Sequence, residues 1–216
     1  MMHPQPAGFL ATPNGRSGPG LIVLHAWWGL NENVKALCVR LANEGFIAFA
    51  PDLYGGRIAT TIEDAETLSG ELDEAQTKST IADAIRFMSG RPDVFGPGLG
   101  LIGLSLGVYF ALGLSEETPD HVRAVVIFYG NGGGDFARSR ASYLGHFAEI
   151  DAFEPADGVR DLEARLRQAG RPVTFHTYSG TGHWFFEADR SDAYNEAAAT
   201  LAWERTVAFL KTETPF

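Results

Sequence analysis

The chain has little with which to cross-link, hold nucleic acid or enter a membrane. Its 216 residues include one cysteine, Cys38, so no internal disulfide can form. Acidic residues outnumber basic ones, 27 Asp and Glu against 17 Lys and Arg. The net charge of -10 repels phosphate backbones and anionic membrane surfaces, which argues against a nucleic-acid or membrane partner. No run approaches the ~18 uninterrupted apolar residues of a membrane span. The N-terminal stretch MMHPQPAGFLATPNG has neither the basic segment nor the apolar run of a secretory signal. A cytoplasmic location is the expectation. Also missing are histidine and carboxylate spacings of metal-site type and any GxGxxG that follows a strand, so no metal and no cofactor are expected. No linker, repeat or low-complexity tract divides the chain. With 45% hydrophobic residues it can bury one sizeable core, and residues 1–216 read as one domain.

What is present is a regular alternation. LIVLHAW (21–27) and FIAFAP (46–51) read as buried strands. Between them Val34, Leu37, Val39, Leu41 and Ala42 recur at roughly helical spacing, with Asn31 or Asn33 available as cap and Gly45 as terminator. That is a βαβ unit, whose strands run parallel. The pattern continues with a helix over 74–89, a strand over 98–104, a helix over 108–115 and a strand over 123–130. A strand over 141–149, a helix over 159–170, a strand over 172–180 and a helix over 192–210 complete it. Five or more strands alternating with helices predict an α/β fold: a doubly wound, mostly parallel sheet flanked by helices on both faces. The segment 55–73 is irregular and reads as a surface excursion. Cys38 reads as a buried helix residue.

In such sheets ligands gather at the carboxyl ends of the strands. There the chain carries GLSLG, with Ser105 between Gly103 and Gly107, directly after an apolar strand and directly before an apolar helix. A GxSxG turn between strand and helix lifts the serine hydroxyl above the sheet and sets backbone N–H groups of the helix start beneath it. The competing reading is a serine that merely caps the helix. A nucleophilic serine needs a base and a group that orients the base. His3 is terminal, His121 lies in a polar loop, and His25, His146 and His176 sit within strand-like runs. His183, in the glycine-rich loop SGTGHWFFE before the closing helix, is the candidate base. Asp151 is the candidate orienting acid, with Glu149 as competitor and Asp157 as a helix-capping residue. Trp27, Trp28, Tyr54, Tyr129, Trp184, Phe185 and Phe186 fall in loops that would ring the serine, which predicts a compact, mainly apolar pocket. Trp28 and Trp184 divide evenly between pocket and core.

Together LHAWWG, PDLYGG, GLSLG, GHFAEIDAFEP and GTGHWF resemble the dienelactone hydrolase family of α/β hydrolases, over about Leu21 to Leu210. The resemblance implies the α/β-hydrolase fold, with Ser105, Asp151 and His183 at the positions of nucleophile, acid and base. It also implies an oxyanion site made by the backbone N–H groups of Trp27 and Leu106. The activity implied is that of a carboxylic ester hydrolase cleaving small esters or lactones through an acyl-enzyme. The alternative is a non-catalytic protein of this fold that binds a small ligand or partner. The chain departs from the family's founding enzymes at three places. Serine replaces cysteine as nucleophile, and Ala26 stands where they carry a glutamate. Glu187, four residues after His183, and the near absence of basic residues between Arg57 and Arg86, with Lys78 alone, remove the arginines expected to clamp an anionic dienelactone.

Overall fold

The computed structural model describes residues 3–15 and 17–215; Met1, Met2, Arg16 and Phe216, within the span read as one domain, lie outside the described residues. The chain runs β1 (Gly8–Ala11), β2 (Gly18–Leu24), α1 (Glu32–Asn43), β3 (Ile47–Pro51), α2 (Ile62–Gly70), α3 (Glu74–Ser89) and β4 (Val94–Leu104). It continues α4 (Leu106–Glu117), β5 (Val122–Phe128), β6 (Ser142–Ala148), α5 (Ala156–Gln168), β7 (Val173–Tyr178) and α6 (Glu196–Glu213). Among the described residues all the strands join one seven-stranded sheet in the order β1-β3-β2-β4-β5-β6-β7. Every residue of β2 and of β3 is buried, the signature of parallel strands covered on both faces.

The helices fall on two faces because each right-handed crossover places its helix according to the direction the chain travels along the sheet. The β2–β3 step runs one way, and the later parallel steps run the other. On one face Arg40 of α1 stacks over Trp203 of α6 at 4.1 Å, and Lys211 of α6 pairs with Glu44. On the other, Lys78 of α3 bridges to Glu117 of α4. The order of travel reverses between β2 and β4, which lie side by side. Their carboxyl ends therefore open a crevice, and the loops after them are the ones that carry Trp27 and Ser105.

The expected α/β fold is thus the observed one, with local differences. The short edge strand β1 pairs antiparallel to β3, Gly8 opposite Pro51, and its four residues carry no periodic signal. The irregular segment 55–73 contains α2. Thr61 accepts from the N–H of Asp64, and the Asp64 carboxylate accepts from the N–H of Thr61, so a reciprocal cap holds a helix with only two buried side chains. α4 starts at Leu106 instead of 108, immediately after Ser105. α5 starts at Ala156 instead of 159, behind Pro155; Asp157 lies in its first turn and is not its cap. Asn31, not Asn33, caps α1, and Asn195 caps α6, which runs Glu196–Glu213 instead of 192–210. Among the described residues no helix is long and apolar enough to cross a membrane.

Candidate active site

Ser105 has φ 46° and ψ -110°, a strained conformation for a side-chain-bearing residue. Close packing on both sides enforces it. A Cβ on Gly107 would come within 2.3 Å of the Leu24 carbonyl oxygen, and one on Gly103 within 2.7 Å of the Val108 Cα. Gly130, just past β5, is equally confined, with a built Cβ 2.6 Å from the Ser105 carbonyl oxygen. Helix and strands thus close on the turn and leave the side chain one way out, upward.

The serine does not cap its helix. Its hydroxyl makes no bond to the helix N-terminus and instead lies 2.9 Å from His183 Nε2. His183 Nδ1 is 2.8 Å and 3.0 Å from the two carboxylate oxygens of Asp151. Hydroxyl, imidazole and carboxylate therefore form one connected chain, and the side chains of His183 and Asp151 are almost wholly buried. Adjacent parallel strands explain how acid and imidazole meet. β6 and β7 pair with Ala148 opposite Tyr178, so their loops leave the sheet at the same height. The Ile150 N–H donates to the Thr181 carbonyl and ties the two loops together. Glu149 is one step too early: its carboxylate accepts from the Gly180 N–H at 2.8 Å, on the exposed outer side of the loop.

Burial pushes the Asp151 carboxyl up, but the bond and charge of His183, with the Glu154 and Phe153 amides donating to Oδ1, outweigh it and hold it below the usual value. It is ionised across the neutral range. The N–H groups of Trp27 and Leu106 find no acceptor among the described residues. Leu106 opens α4, where the helix dipole adds positive potential.

Above the serine lies an open cavity of about 310 Å³ lined by Trp27, Ser105, Leu106, Tyr109, Asn131, Phe153, Glu154, His183 and Trp184. Phe153 packs edge-on to Trp27 at 5.6 Å and lies 5.0 Å from both Trp184 and the imidazole. Of the seven aromatics expected to ring the serine Trp27 and Trp184 line the cavity, and five need correction. Trp28, Tyr54 and Tyr129 are buried and absent from the lining. Tyr129 lies beneath the imidazole, 4.9 Å from it, and donates to Glu187. Trp28 is sandwiched against Trp184 with Arg190 over its ring, and Tyr54 packs on His25. Phe185 and Phe186 are core as well. The reason is geometric: neighbouring side chains of one loop point in different directions, so Trp27 and Trp184 face the cavity while Trp28, Phe185 and Phe186, next to them in the same loops, turn into the core. Four further residues, Tyr109, Asn131, Phe153 and Glu154, line the cavity beyond those expected from the sequence. Phe153 and Glu154 lay in view within the GHFAEIDAFEP segment, whereas Tyr109 and Asn131 carry no sequence signal. Among the described residues no group of three or more His, Cys, Asp or Glu side chains is placed to hold a metal.

A serine-bearing strand-to-helix turn after the central strand, β4, of a mostly parallel, helix-covered sheet, with the histidine in the loop after the last strand, defines an α/β hydrolase. Residues 7–214 match the dienelactone hydrolase family, and the chain belongs to it. Protein usf of Aquifex pyrophilus is 34% identical over 213 residues, which cover 94% of this chain and 92% of that protein. A protein of Aquifex aeolicus named "Putative carboxymethylenebutenolidase" is 32% identical over 214 residues, covering 95% and 92%. The crystal structure of a dienelactone hydrolase-like promiscuous phosphotriesterase from metagenomic libraries superposes with a TM-score of 0.84 at 21% identity, covering 95% of this chain and 91% of that one. This membership makes the protein a hydrolase of small molecules.

Proposed function

We propose that this protein is a serine hydrolase that cleaves small carboxylic esters or lactones through an acyl-enzyme. One observation carries the reading: the Ser105 hydroxyl forgoes its helix cap and joins an imidazole–carboxylate pair at the floor of an open cavity. His183 takes the Ser105 proton at Nε2 as the oxygen attacks the ester carbonyl. Asp151, ionised and bonded to Nδ1, fixes the imidazole tautomer and stabilises the imidazolium. The N–H groups of Trp27 and Leu106 receive the oxyanion, each contributing on the order of 10² to 10³ in rate. The tetrahedral intermediate collapses, and the imidazolium returns the proton to the departing alkoxide. Water then repeats the sequence on the acyl-serine and frees the acid. A cavity of about 310 Å³ with aromatic walls suits a compact ester.

Fluorophosphonate labelling tests this directly. The intact protein is expected to label at Ser105 and to turn over p-nitrophenyl acetate or a simple lactone, and Ser105→Ala to lose both. A folded wild-type protein inert to the label under conditions that label serine esterases would favour the non-catalytic binding role instead.

A further inference from the structure

The cavity wall is chemically one-sided. Besides His183 its one ionisable side chain of low ordinary pKa among the described residues is Glu154; the rest is aromatic, apolar, amide or the Ser105 hydroxyl, and no lysine or arginine among the described residues lines it. The cation behind Tyr109 is already occupied: Lys78 bridges Glu74 at 3.0 Å and Glu117 at 3.1 Å, and Glu74 accepts from the Tyr109 hydroxyl. Glu187, where an arginine clamp would stand, is fully buried beneath Tyr129 and never reaches the cavity. The Glu154 backbone is pinned, its N–H donating to Asp151 Oδ1 at 3.0 Å, so the residue's position is set by the same turn that holds the acid. No group among the described residues donates to its carboxylate. Beside it stand the faces and edges of Trp27, Phe153 and Trp184.

A half-buried carboxylate without a donor, next to three aromatic rings, is a poor neighbour for an anion and a good one for a cation. We infer that Glu154 is a specificity-determining residue that turns this pocket toward esters bearing a positively charged ammonium group and away from esters bearing a carboxylate. The inference rests on the serine hydrolase reading for its substrate class, and the cation preference itself rests on the cavity wall. Burial, reinforced by the Asp151 charge, pushes Glu154 up to about 7, which is the condition a bound cation would relieve.

Three acetate esters of matched size separate the possibilities: trimethylammonio-ethyl acetate, its neutral tert-butyl isostere and a carboxyethyl acetate. At about pH 8, where Glu154 is mostly ionised, kcat/KM is expected to fall by about tenfold from ammonium to neutral ester and by about tenfold again to the carboxylate. Glu154→Gln is expected to collapse that spread to within about threefold. In parallel, tetramethylammonium alone is titrated against tryptophan fluorescence, which Trp27 and Trp184 report without any turnover. Saturable quenching weakened several-fold by Glu154→Gln supports the inference. Equal rates on the three esters, or a spread and a quenching curve unchanged in the variant, overturn it while leaving the hydrolase intact. Absence of both labelling and turnover overturns the hydrolase reading, and the titration then decides the cation preference by itself.

Discussion

At the scale of single residues, the division of labour between neighbouring carboxylates is the sharpest prediction. Asp151 bonds the imidazole; Glu149, two residues earlier, anchors Gly180 on the outside of the same loop. Asp151→Asn is therefore expected to lower kcat on a p-nitrophenyl ester by about 10³ to 10⁴, since an amide holds the wrong tautomer. Glu149→Gln should cost less than about tenfold, because it removes only part of a loop tether. Steady-state kinetics of the two variants side by side checks this, and equal small losses would contradict the geometry. Ser105→Ala and His183→Ala should each cost about as much as the double variant, because the two act as one unit. From the sequence, Ser105 and His183 stood out by their settings, GLSLG and GTGHWF. The choice between Asp151 and Glu149 did not, because it depends on where the chain turns out of β6, which composition does not encode.

At the scale of elements, the Ser105 turn depends on the approach of α4 to β2. Gly107→Ala puts a methyl against the Leu24 carbonyl oxygen, a backbone atom with nowhere to go. Stability is expected to fall by about 1 to 3 kcal/mol, and the fluorophosphonate labelling rate with it, as α4 is pushed off the sheet. Chemical denaturation and labelling kinetics on one preparation measure both. A contrasting case is α2, whose reciprocal cap, Thr61 with Asp64, contributes no residue to the cavity lining. Thr61→Ala should cost about 1 kcal/mol in unfolding while leaving labelling unchanged. Long buried strands and helices announce themselves by apolar runs, whereas α2 and β1 owe their existence to a cap and to an open sheet edge. Those are contextual features, and for that reason neither was visible beforehand.

At the scale of the whole molecule, one acid sits in a place where it can hardly ionise. Glu187 is fully buried, and burial pushes it up to about 8 from an ordinary 4.5, the Tyr129 hydroxyl bond offsetting only part of this. The folded state therefore keeps a proton that the unfolded chain releases above about pH 4.5. Stability is expected to fall as pH rises from that value through about 8, by up to a few kcal/mol, and Glu187→Gln should flatten the decline. Urea unfolding of both proteins across that window tests it; parallel profiles would assign the pH dependence elsewhere. The sequence by itself determined the class of fold and the candidate nucleophile and base, because burial periodicity and the small residues of a tight turn are local properties of the chain. Only the tertiary structure decided which carboxylate reaches His183, which aromatics face the cavity and which pack beneath it, and that Glu154 stands in its wall. Those outcomes depend on strand register and loop height, which exist only once distant segments have been packed side by side.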